Sequence, residues 1–233
     1  MKIKNCLRFF CLSLTLFFSH QALSDSFKDH YKVGNGSTYI MTNKDGTANN
    51  NVSIYITSVE RDNLGVEYFI ESQNSFLPSS LWQQFNLKKD KVNGGLKITE
   101  GYILDAYGKF PETLEKEHLK GQTLGAQTSD FLFSDFATIN KHLINKEEVS
   151  VPAGKLKTNR YKIESNGQTI EFWIAQDRSP LTLVKLISKG KKSAQNYQLL
   201  LATLVKNVKA KIDPSKAKPL SKKMRSALSK TLK

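Results

Sequence analysis

Three stretches of this chain place apolar residues at every second position. They are Val52, Ile54 and Ile56; Val66, Tyr68 and Ile70; and Ile170, Phe172 and Ile174, the last interleaved with Glu171, Trp173 and Ala175. A period of two sends successive side chains to opposite faces of a pleated strand, whereas a helix repeats every 3.6 residues. Turn chemistry separates such stretches: Asp45-Gly46, Asp62-Asn63-Leu64-Gly65 and the hairpin signal Asn166-Gly167. The pattern therefore predicts an antiparallel meander, with Ser37 to Thr42 as a further strand ahead of it.

The segments between read in two ways. Leu96 to Tyr107 is extended after Gly94-Gly95. Pro78-Ser79-Ser80 opens a predicted short helix, with Ser79 or Ser80 as cap and Leu81, Trp82 and Phe85 on one side. Pro111 to Lys120 predicts another, with Glu112, Glu115 and Glu117 early and Gly121 as its stop. Ser129 to Ile144 gives the clearest helical spacing, with Leu132, Phe136, Ile139 and Leu143 on one face, and a strand at Phe131-Leu132-Phe133 is the competing reading. Glu147 to Val151, Lys155 to Glu164 and Leu181 to Ser188 read as three further strands around Ile170 to Ala175. Tyr197 to Val208 is apolar on both faces, so its period does not separate strand from helix.

The first residues predict an export signal. Lys2, Lys4 and Arg8 precede the apolar run Phe9 to Phe18, and Ala22-Leu23-Ser24 fits a small-x-small cleavage site. A run of ten residues is too short to span a bilayer. Neither Cys6 nor Cys11 has the small residues of a lipidation site before it, and both precede the cut, so the mature chain is expected to have no disulfide. Its core must then come from apolar burial, for which thirteen Phe, eight Tyr and two Trp are available. The expected organisation is a signal peptide at 1–24, one β-rich domain at 25–213 and a basic tail at 214–233. The expected location is periplasmic or secreted.

The net charge of +14 is unevenly spread. Residues 206–233 hold ten Lys and Arg against one Asp. Within them Leu220, Met224, Leu228 and Leu232 recur every four residues, and Lys222, Lys223, Arg225 and Lys230 fill the other faces. Pro219 suits a first helical turn. This is the composition of a basic amphipathic helix that lies on an anionic membrane. The expected tail is separable from the domain. Nucleic acid is not an expected partner, because the tail lacks interleaved aromatic residues.

The run Val149-Ser150-Val151-Pro152-Ala153-Gly154, then Leu156 and Tyr161, Phe172-Trp173-Ile174, Pro180-Leu181 and Leu183-Val184-Lys185-Leu186 resembles the second half of the lipoprotein-carrier superfamily (LolA/LolB-like) and related periplasmic proteins. The resemblance implies a curved, open antiparallel sheet, a half-barrel with two or three helices packed on it, and by analogy an apolar cavity.

Catalytic signatures are missing. There is no G-x-S-x-G and no mature-chain cysteine, and His30, His118 and His142 do not stand at metal-ligand spacing. No enzyme, metal or cofactor is expected, and His118 reads as a solvated helix residue. Trp82, Phe85, Phe131, Phe133, Phe136, Phe172 and Trp173 are either core or the lining of a ligand cavity. The expected function is binding of a lipid, a lipoprotein acyl chain or another apolar ligand, with docking to anionic envelope surfaces. The alternatives are an envelope interaction protein without a small ligand, and a hydrolase with an unrecognised site.

Overall fold

The computed structural model describes residues 31–43, 49–72, 79–89, 96–120, 141–165, 167–175, 183–191 and 196–229. They form one twelve-stranded open sheet. The strands are β1 (Gly36–Asn43), β2 (Asn49–Val59), β3 (Asn63–Ser72), β4 (Ser79–Lys89), β5 (Leu96–Asp105), β6 (Glu112–Thr113), β7 (Leu143–Val151), β8 (Gly154–Ser165), β9 (Gln168–Ala175), β10 (Leu183–Gly190), β11 (Tyr197–Val205) and β12 (Lys218–Pro219). Their spatial order is β12-β6-β5-β4-β3-β2-β1-β11-β10-β9-β8-β7. All pairs are antiparallel except β12 with β6, which is parallel.

The chain thus makes two meanders, β1 to β6 and β7 to β11, joined where β1 pairs with β11. Among the described residues there are two short α-helices, α1 (Lys116–Lys120) and α2 (Lys222–Ser229). Neither is long and apolar enough to cross a membrane.

Alternation gives the sheet two distinct faces. The core face runs unbroken across the register: Tyr39 opposite Val52, Val52 opposite Ile70, Ile54 opposite Tyr68, Val66 opposite Phe85. It continues into the second meander through Leu199, Leu186, Phe172 and Tyr161. All of these are buried, and Phe172 stacks on Tyr161 with centroids 5.1 Å apart. Leu114 and Leu119, at and beside α1, close over this face at Gly101. A Cβ there would lie 2.7 Å from Leu119 and 3.0 Å from Leu114 and Phe85, so glycine permits the close approach.

Several expectations need correction. Ser79 to Lys89 is a strand, not a helix: it pairs with β3 through Phe69–Trp82 and with β5 through Trp82–Leu104. Leu81, Gln83, Phe85 and Leu87 do alternate, but the polar Gln83 and the helix-like 81/85 spacing hide it. Ladders on both sides then override local preference. Leu143 and Ile144 open β7 after a turn at 141–142, so the helix predicted through Ile144 does not reach that far. Its residues 129–140 lie outside the described residues. Of Pro111 to Lys120 only the end is helical, since Glu112 and Thr113 pair with β5. His118 is buried, 3% exposed, not solvated.

The C-terminal segment is also not separate. Asp213 does not end a domain but caps a 3-10 turn at Pro214–Lys216, its Oδ1 accepting from the Ser215 N–H (3.1 Å) and hydroxyl (2.6 Å). The chain then adds β12 to the sheet, and Leu220 and Leu228 enter the main core, 5% and 2% exposed. Met224 packs against the same core.

Candidate functional site

Of the seven candidate cavity residues, the four that are described do not line one space. Phe85 and Phe172 lie on the core face, whereas Trp82 and Trp173 lie on the opposite face. Phe172 and Trp173, being neighbours in β9, point to opposite sides as strand geometry demands. Phe131, Phe133 and Phe136 lie outside the described residues.

On the core face the outstanding residue is Gln83. It sits between Tyr68 of β3 and Ile103 of β5, with Leu81 and Phe85 on the same side of its own strand. It is wholly buried, 0% exposed, and neither its Oε1 nor its Nε2 has a hydrogen-bond partner among the described residues. Burying an amide unpaired costs on the order of 1–3 kcal/mol, so such a group calls for a reason.

On the opposite face, Trp82 and Trp173 are engaged differently. Trp82 stacks on Phe69, centroids 4.7 Å apart, and joins Tyr102, Leu104 and Ile212 in a small second core. Burial and the Glu100 carboxylate raise the Tyr102 hydroxyl to about 12. The segment after β11 crosses here, anchored by Glu67. That carboxylate is 1% exposed and accepts from the backbone N–H of Lys211 (2.9 and 3.0 Å) and of Ile212 (2.7 Å). Burial raises its pKa, against the lowering pull of those two N–H groups and the Lys211 charge. No sequence pattern marked Glu67, which occupies an ordinary polar position between Val66 and Tyr68.

Trp173 lies at an open groove of about 470 Å³ between β7 and the β8–β10 strands. Register puts Arg160, Trp173 and Lys185 in one cross-strand row. The Arg160 guanidinium and the Lys185 ammonium lie 5.0 and 4.8 Å from the indole centroid. Arg160 donates to Glu171 through Nε (3.1 Å) and Nη2 and lies 3.7 Å from Glu147. Glu147 accepts from the indole N–H at 2.5 Å. Glu147 and Glu171 are thus spent on neighbours, and Trp173 is only 4% exposed, while Glu148 lines the groove as an exposed side chain. Around the indole the groove holds an ion network.

The predicted membrane-docking residues divide by face. Leu220 and Leu228 are buried and Met224 partly so, which withdraws the apolar stripe from solvent. The physical reason is a competing apolar partner, the chain's own core. Polar contacts hold the helix there. The Ser221 N–H donates to Glu112 (2.6 Å) and Arg225 donates to Glu115 (2.5 Å), which holds the Glu115 carboxyl below its usual range. Lys222 and Lys223 remain exposed. Lys230 and Leu232 lie outside the described residues.

Glu115, Glu117 and His118 present ligand-type atoms within 4.8 Å of one another. Glu115 is already engaged by Arg225, and His118 Nδ1 lies 3.5 Å from Glu115.

No protein family and no curated protein matches this chain. Among solved structures it is similar to a "putative lipoprotein" from Parabacteroides distasonis, with TM-score 0.37 and 10% identity over 74% of this chain and 95% of that one. It is also similar to a "putative exported protein with YmcC-like fold" from Bacteroides fragilis, with TM-score 0.34 and 7% identity over 75% of this chain and 97% of that one.

Proposed function

We propose that this protein is exported to the cell envelope and binds an apolar molecule that carries one hydrogen-bonding group, on the core face around Gln83. The export reading rests on the basic start, the apolar run Phe9 to Phe18 and the small residues Ala22 and Ser24. The binding reading rests on one observation, an amide buried in an apolar face with both ends unpaired among the described residues. An apolar residue of similar volume would serve packing better, so the amide suits recognition of a carbonyl or hydroxyl. A ligand there exchanges protein contacts for its own, competing with Leu114 and Leu119 where they close over Gly101.

Gln83→Leu separates this from a packing role. The variant is expected to raise the unfolding midpoint of the free protein, because it removes an unpaired amide. It should also weaken binding of a fluorescent fatty-acid probe about tenfold, while a purely hydrocarbon probe binds as before. A variant that is less stable, or that binds both probes unchanged, contradicts the reading.

A further inference from the structure

The turn between β5 and β6 carries two exposed aromatic side chains, Tyr107 at 79% and Phe110 at 44%. The turn is fixed. The Gly108 N–H donates to the Asp105 carbonyl (3.0 Å), and the Tyr107 N–H donates to the Asp105 carboxylate (2.9 Å). Tyr107 therefore projects from an ordered support rather than from a loose end.

The C-terminal segment brings cations to the same place. β12 pairs with β6, and the Lys218 N–H donates to the Pro111 carbonyl (2.9 Å). The Lys218 ammonium lies 3.8 Å from the Phe110 ring centroid. Lys223, whose side chain is 88% exposed, lies 3.9 Å from Asp105. Lys109 and Lys222 are exposed beside them in sequence. Two separate contacts thus set the lysines of one segment against the aromatic turn of another, about a hundred residues away in the chain.

We propose that this edge, the β5–β6 turn with the start of α2, docks on an anionic lipid surface. Tyr107 and Phe110 enter the headgroup region, and Lys109, Lys218, Lys222 and Lys223 face the lipid charge. Single rings projecting from a turn suit insertion between headgroups. Lysines on flexible stems follow the surface without demanding one geometry. The apolar contribution comes from the turn, so Leu220 and Leu228 stay in the core. The proposal is independent of ligand binding near Gln83.

Co-sedimentation of the mature exported protein with phosphatidylglycerol-containing vesicles and with pure phosphatidylcholine vesicles tests it. A lysine near an anionic surface contributes about fivefold in partitioning, so Lys218→Gln/Lys222→Gln should lower binding to anionic vesicles roughly thirtyfold and flatten its salt dependence. Tyr107→Ser/Phe110→Ser should lower binding about tenfold while the salt dependence persists. The charge-matched control Lys155→Gln/Lys157→Gln, at exposed positions of β8, should bind like the parent. Loss in the control equal to that in the lysine pair would reduce the effect to net charge and overturn the proposal. So would parental binding by both patch variants, or equal binding of the parent to the two kinds of vesicle.

Discussion

Glu67 and Glu171 occupy matching positions in the two meanders. Each follows an apolar residue of the core face and precedes an aromatic one, and each points to the opposite face. Their surroundings differ. The returning C-terminal segment covers Glu67, which satisfies two backbone N–H groups of that segment. Glu171 stays at an open groove and pairs with Arg160 of the adjacent strand. An alternating carboxylate is therefore a solvated surface group only until a distant segment covers it. Once covered, it becomes the point to which that segment is tied.

The first way to break this contrast is to remove the chain beyond the crossing. Truncation after Asp213 deletes Leu220 and Leu228, both nearly fully buried. At roughly 2 kcal/mol for each buried leucine, the loss should be about 4 kcal/mol, a large share of an ordinary domain's stability. Urea unfolding measures it, and a midpoint close to that of the full chain would mean that the segment is an independent tail. Glu67→Ala should come next at about 2–3 kcal/mol, because it leaves the buried Ile212 N–H without an acceptor. Glu171→Gln should cost only about 1 kcal/mol, since Arg160 keeps Glu147 and access to water. A double mutant of Glu67 and Glu171 that departs from additivity would show that the two meanders are coupled.

The smallest expected effect is on pH dependence. Burial raises the native pKa of Glu67. Between the ordinary glutamate value and that raised value the native chain holds a proton that the unfolded chain has released. Stability should therefore fall as pH rises through this window and level off above it. Glu67→Gln keeps an acceptor but cannot titrate, so its unfolding free energy should lose that slope. An unchanged slope would place the titration elsewhere.

How much could be read in advance depends on how local each signal is. Ile170, Phe172 and Ile174, with Asn166-Gly167 before them, specify a strand and its hairpin within ten residues, and β8 and β9 stand as the spacing requires. The four-residue spacing from Leu220 to Leu228 likewise specifies α2. That spacing says only that one face is apolar. Whether lipid or protein covers it depends on contacts with residues about a hundred positions away. β4 was obscured because Gln83 and Gln84 put polar groups at buried positions. The row of Arg160, Trp173 and Lys185 depends on the register of three strands, which no single segment encodes. Glu67 gave no signal, because only the crossing segment distinguishes it from a surface glutamate.

The most direct test of ligand binding is native mass spectrometry of the protein released from its own envelope without organic solvent. Binding at Gln83 predicts a one-to-one adduct with the mass of an apolar, carbonyl- or hydroxyl-bearing molecule in the parent, and a depleted adduct in Gln83→Leu. A folded parent that carries no adduct, or an adduct equally abundant in the variant, would contradict binding at Gln83.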